Sequence, residues 1–238
     1  MSNIGVISRK ELGAYLISPM AYVVTAVFLA LSGTFFSAHL VMTNYTDTSI
    51  RGFVNAAPVL IILFAVVLTM RSVTEERKLG TWELLLTSPV RDADIILGKF
   101  VGSLAVLVIM LGLTLYYTGL LTVFGDPDLG PIATSYLGLL LLGSASLSVG
   151  IFASTLSSNQ IVSAVVSGGI LFGLWILGTI GRYVPAAFQE VLSHFSLSEH
   201  FPAFVRGVVD TRSVVYYLSV TAMFLYLAVA SIDTGRWR

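Results

Sequence analysis

Long apolar runs separated by short polar stretches set the plan of this 238-residue chain. Met20 to Met42 carries no formal charge, and a helix of that length crosses a hydrocarbon core of about 30 Å. Phe53 to Met70 and Phe100 to Phe124 repeat the pattern. From Ile132 to Gly181 there is again no charge. One helix of that length would be about 75 Å long, far beyond a single crossing, so the run folds as a hairpin. Its break belongs at the most polar point, Ser154 to Gln160. That divides it into spans 132–153 and 161–181, and Ser213 to Ile232 forms the sixth. The pattern predicts an all-α membrane protein with six transmembrane helices, forming one transmembrane domain over residues 1–238.

The polar stretches add shorter elements. Residues 1–19 place Arg9, Lys10 and Glu11 among Ile4, Ile7, Leu12, Tyr15 and Leu16, a spacing that suits a helix lying in the membrane interface. A short polar leader fits the same composition. Ser18-Pro19 breaks the chain before the first span, and Pro58 kinks or begins the second. Asn55 and His39 belong near the interface. Gly125 to Pro131 is a turn cluster. Arg182 to Arg212 is too broken to span and too apolar for a free linker, so it reads as one or two short outer-face helices before the sixth span. Trp237 and the terminal arginines suit the headgroup layer.

Composition agrees with a membrane protein. Only 11% of residues are charged, against about a quarter in soluble domains, and the mean hydropathy is +0.90. The absence of cysteine removes disulfides, thiol nucleophiles and thiolate metal sites. Zero net charge gives no support to nucleic-acid binding. No signal-peptide pattern opens the chain. Six spans put both termini on one side. With the termini and the 71–99 connection cytoplasmic, nine Lys and Arg lie inside and four outside, as the positive-inside rule favours.

Charge is concentrated in one place. Arg71 to Lys99, about an eighth of the chain, holds ten of its 26 charged residues. Ser72-Val-Thr-Glu75 matches a capping box and predicts a helix start. Leu79, Trp82, Leu85 and Leu86 then share one side at helical spacing, with Glu76, Gly80, Glu83 and Thr87 on another. Pro89 stops the helix at Ser88, and Asp92 is placed to cap the next. The reading is a stiff helix–turn–helix lever between two spans. An ordinary amphipathic linker with positive-inside charges fits the same spacing. Other constellations point to packing rather than chemistry. His194, Glu199 and His200 lack the H-E-x-x-H spacing and an evident third ligand, and read as interfacial hydrogen bonding. Ser144, Ser146 and Ser148 fall outside any G-x-S-x-G pattern. With Gly168, Gly169, Gly173 and Gly178 they read as small residues for close helix contact. Phe35, Phe36, Tyr116 and Tyr117 fit a pathway lining or an aromatic belt equally.

The connection resembles the first cytoplasmic loop of the membrane subunits of type-2 ATP-binding-cassette (ABC) exporters. The matching residues are Glu75-Glu76, Gly80-Thr81-Trp82-Glu83-Leu84-Leu85-Leu86-Thr87 and Pro89-Val90, then Ile95/Ile96, Gly98 and Lys99. Trp82 stands where that family more often has Leu. Gly150 to Gln160 is similar to the family's break between spans four and five, and Leu192 to Leu218 to its outer-face segment. The nearest likeness is to the small permeases of gliding motility and nitrous-oxide maturation. The resemblance implies a permease half that pairs with an identical or related half and with two separate ATPase subunits. It also admits an accessory extracytoplasmic protein alongside the surrounding lipid.

A coupling helix after the second span is expected to meet the ATPase. Glu75, Glu76 and Glu83 would make polar contacts and Leu79, Trp82, Leu85 and Leu86 would pack, with Gly80, Thr81 and Pro89 in the same segment. No G-x-x-x-x-G-K-[ST] loop occurs, since Gly98-Lys99 is followed by Phe100. This chain is therefore expected to hold no cofactor or metal and to hydrolyse no ATP. ATP and Mg²⁺ would reside in the partner. The expected function is coupling of that hydrolysis to export across the cytoplasmic membrane. The alternative is a membrane scaffold for an ATP-driven extracytoplasmic machine.

Overall fold

A computed structural model describes residues 3–44, 49–82, 90–181 and 183–235. Every regular element among them is helical. In chain order these are α1 (Asn3–Ile17), α2 (Pro19–Met42), α3 (Arg51–Thr69), the short α4 (Thr74–Lys78) and α5 (Asp92–Phe124). They continue with α6 (Leu129–Leu156), α7 (Gln160–Gly181), the short α8 (Ala186–Phe195) and α9 (Pro202–Val205), and α10 (Thr211–Gly235). α2, α3, α5, α6, α7 and α10 are long and apolar enough to cross a membrane. The six spans and the shorter helices expected from the sequence are present. The helix expected to start near Asp92 runs unbroken into the third span, so α5 carries about two polar turns ahead of Phe100. Pro58 lies inside α3, so it does not begin that helix.

Local chemistry sets the boundaries. Ser18 is extended (φ −73°, ψ 123°) and Pro19 opens α2, where its fixed φ and missing N–H suit a first helical turn. Asp128 Oδ1 accepts the Gly130 N–H at 3.0 Å as α6 starts. At the predicted hairpin break, Asn159 Oδ1 accepts from the Ile161 N–H at 2.9 Å. The Ser157 hydroxyl accepts from the Asn159 N–H at 3.0 Å. Side-chain oxygens thus satisfy amide donors that the turn and the start of α7 would leave open.

α6 is the hub of the bundle, packed by α3, α5, α7 and α10. Ser144, Ser146 and Ser148 are buried in it. Their hydroxyls donate back to the Leu141, Leu142 and Ala145 carbonyls, so they pack as small residues without leaving donors open. A Cβ at Gly143 would overlap Leu107, and one at Gly150 would overlap Thr69. Both glycines therefore set the distance of closest approach. The most apolar stretches of α3, α5 and α6 are 67, 56 and 78% buried, against 22, 22 and 28% for α2, α7 and α10. The first three make an inner core and the others an outer layer with open apolar faces. The aromatic doublets divide in the same way. Phe36 and Tyr117 are buried and stacked at 4.9 Å, while Phe35 and Tyr116 face outward.

The two ends of the bundle differ. At one end, Ile232 near the close of α10 packs with Val73, Ile95 and Ile96, and α1 lies along α5. The described part of α1 and the close of α10 therefore sit at the same end as α4. At the opposite end α8 and α9 are tied down by hydrogen bonds. The Tyr217 hydroxyl donates to the Leu197 carbonyl at 2.9 Å and the Thr134 hydroxyl to the Phe204 carbonyl at 2.7 Å.

Candidate functional site

At the α1/α4 end the chain leaves α3 without a clean break. Thr69 back-bonds to the Ala65 carbonyl at 2.6 Å, and residues 70–73 form a loose turn that feeds α4. The expected capping box does not form. The residue preceding α4 is Val73, and no side chain caps the helix. The backbone instead carries on in near-helical turns, with the Glu75 N–H on the Arg71 carbonyl at 3.2 Å and the Arg77 N–H on the Val73 carbonyl at 3.1 Å. A capping side chain is superfluous where preceding carbonyls already accept these donors.

Lys99 joins this turn to the rest of the end. It is 2% exposed. Its ammonium lies 2.8 Å from Glu11 Oε1 on α1, 3.0 Å from Glu76 Oε2 on α4, and donates to the Ser72 carbonyl at 2.7 Å. The Glu76 contact is an ion pair without hydrogen-bond alignment. An ammonium has three donors and no acceptor, so these three oxygens surround it. The approach of α1 depends on Gly98 and Gly102, one turn apart on α5. A Cβ at Gly98 would lie 2.6 Å from Ile7 Cβ, and one at Gly102 would lie 2.7 Å from Glu11 Cβ. This small-xxx-small pair seats α1 and brings Glu11 within reach of Lys99. Gly98 and Lys99 stand out in the sequence pattern, whereas Gly102 does not. Their joint role is not visible there, because Glu11 is 88 residues away.

The expected contact residues separate into two groups. Glu75, Leu79, Gly80 and Thr81 face outward, Leu79 at 69% exposure. Glu76 faces inward to Lys99. Trp82 is only 7% exposed and packs with Val73, Ile95, Ile96 and Ile151, with the Arg77 guanidinium 5.6 Å from its ring centre. Leu79 and Trp82 therefore do not share one outward side as helical spacing suggested. Gly80 interrupts the helix with φ +71°, the left-handed conformation that ends helices, and turns the chain back toward the spans. Glu83, Leu85, Leu86 and Pro89 lie outside the described residues. Asp92 does not cap α5. The preceding residue is Arg91, and Asp92 and Asp94 occupy the first turn, where carboxylates complement the positive helix end.

Tyr15 closes the inner wall of this end by donating to the Leu68 carbonyl at 2.9 Å. Burial, followed by the charges of Glu11 and Glu75, pushes its phenol pKa well up, so it remains a neutral donor. Between α1 and the α3–α4 turn lies a cavity of about 350 Å³, lined by Lys10, Glu11, Arg71, Glu75, Glu76 and Lys99 among others. At the opposite end His200 stacks on Tyr216 at 4.0 Å, and its Nδ1 pairs with the Ser196 carbonyl at 2.9 Å. The His194 ring is 6.1 Å from that of His200. A wider apolar recess of about 670 Å³ opens there between α7, α8 and α10.

The arrangement joins three helices through one buried charge at one end of the bundle, with an outward-facing edge beside them. A search of curated proteins returned no match. The family model described as ABC-2 family transporter protein matches residues 19–232. A match over most of a six-span helical chain makes this a multi-pass membrane protein and a permease subunit: it belongs to the ABC-2 transporter family.

Proposed function

We propose that this chain is one permease half of an ABC exporter, set in the cytoplasmic membrane with its termini and the α3–α5 connection inside. Two halves form the pathway. Two separate ATPase subunits, carrying ATP and Mg²⁺, press against the connection. The observation that carries this reading is the Lys99 junction, which holds α1, α4 and α5 with one ammonium. A push on α4 then passes into the third span and the N-terminal helix together. Glu75, Leu79, Gly80 and Thr81 would meet the ATPase directly, and Glu83, Leu85, Leu86 and Pro89 would act with them. Glu76 and Trp82 act from behind as positioning residues, anchoring the edge to the spans. Membrane-crossing helices rarely carry unpaired charge. The charge-free middle of each run favours an apolar or amphipathic substrate.

Pull-down with mass spectrometry should name the ATPase, which can then be reconstituted with the permease in proteoliposomes. Glu83→Arg and Trp82→Ala should insert normally yet lose most of the permease-dependent stimulation of ATP hydrolysis. Undiminished coupling in both variants would remove the lever assignment.

A further inference from the structure

The cavity between α1 and the α3–α4 turn contains charged groups that the Lys99 junction leaves uncommitted. Its charged lining is balanced, with Lys10, Arg71 and Lys99 against Glu11, Glu75 and Glu76. Lys99, Glu11 and Glu76 are committed to one another. Arg71 is different. Its Nε is buried and has no hydrogen-bond partner, which is an uncommon state for a donor that water cannot reach. A guanidinium fork matches the oxygens of a phosphate, and Lys10 supplies a second cation on the same cavity. At about 350 Å³ the cavity falls within the usual range of about 300–1,000 Å³ for small-molecule sites.

The cavity does not end among charges. A smaller recess shares Tyr15, Ser18 and Arg71 with it and continues over Met20, Val24, Val67 and Leu68 between α2 and α3. Polar at its mouth and apolar along the spans, the combined space has the polarity of a membrane lipid entering from the boundary layer. Free phosphate would use only the polar half. The equal count of cations and carboxylates favours a headgroup carrying both signs over a purely anionic one.

We propose that this cleft binds a phospholipid with a zwitterionic, amine-bearing headgroup. The phosphate sits on Arg71 and Lys10, the ammonium beside Glu75, and the first methylenes of an acyl chain at the α2–α3 recess of about 40 Å³, with the rest of the chain in the surrounding bilayer. The lipid thereby fills the space behind the α3–α4 turn and makes the connection part of the membrane boundary.

Native mass spectrometry of the purified full-length chain tests this. The probes are phosphatidylethanolamine, phosphatidylglycerol and inorganic phosphate. The intact chain should retain phosphatidylethanolamine about tenfold better than phosphatidylglycerol, the scale of one charge-assisted hydrogen bond. Arg71→Gln should lose most of that retention. Lys10→Gln, at an exposed position, should weaken it without disturbing the fold, which keeps the test valid should Arg71→Gln fail to fold. Glu75→Gln should shift the preference toward phosphatidylglycerol. Equal retention of the two lipids by the intact chain would overturn the proposal. So would retention indifferent to both Arg71→Gln and Lys10→Gln, or displacement of the lipid by inorganic phosphate, which would make this a simple anion site.

Discussion

Lys99 owes its position to geometry that removes every alternative for its charge. At 2% exposure it cannot reach water, and three oxygens from three segments enclose its ammonium. The Glu11 and Glu76 side chains are also mostly covered, at 13 and 18% exposure. Lys99→Met would leave two neighbouring carboxylates without a counter-charge. Removing one partner of a buried pair costs about 3–5 kcal/mol, so the variant should unfold at a clearly lower temperature in detergent. Adding Glu11→Gln and Glu76→Gln should recover much of that loss, because the penalty lies in uncompensated charge rather than in lost volume. Thermal unfolding of the single and triple variants separates these outcomes. A single variant as stable as the parent would mean that the junction holds nothing together.

Between elements, much of the plan could be read from the chain because membrane spans are written locally. A charge-free run such as Met20–Met42 needs no knowledge of its neighbours to be recognised. The direction of the connection was less legible because two tertiary facts decide it. Gly80 adopts a positive φ, which breaks the period that had put Leu79 and Trp82 on one side. Trp82 then finds a pocket among Val73, Ile95 and Ile151 that spacing alone does not show. Gly80→Val should therefore matter beyond local strain. A side chain in the left-handed region costs about 1–2 kcal/mol, and the chain can relieve it only by redirecting Trp82. With Trp175 and Trp237 replaced by Phe, the emission of Trp82 should move to longer wavelength in this variant. The seating of α1 was hidden for a similar reason, since Gly98 and Gly102 acquire meaning only against Ile7 and Glu11. Gly98→Val should lever α1 off α5, and trypsin should then cut at the exposed Arg9 and Lys10 several-fold faster.

For the whole molecule the decisive quantity is orientation, because an ATPase can drive the bundle only from the side that presents α4. α1, α4 and the close of α10 share one end, where Ile232 packs with Val73 and Ile95. Among the described residues that end holds seven Lys and Arg against three at the other, a bias that would retain it on the cytoplasmic side. The chain contains no cysteine, so single introduced thiols report sidedness without background. Glu75→Cys, exposed beside the Lys99 junction, should react with a membrane-impermeant maleimide only after the cytoplasmic face is opened. Tyr183→Cys, at 88% exposure on the opposite end, should react in intact cells. The reverse pattern would place α4 out of reach of any cytoplasmic ATPase and would end the coupling proposal, whatever the strength of the junction. The expected pattern would put the uneven charge distribution, the position of α4 and the buried junction to one use: a bundle whose inner core of α3, α5 and α6 is moved from inside the cell by way of a single connection.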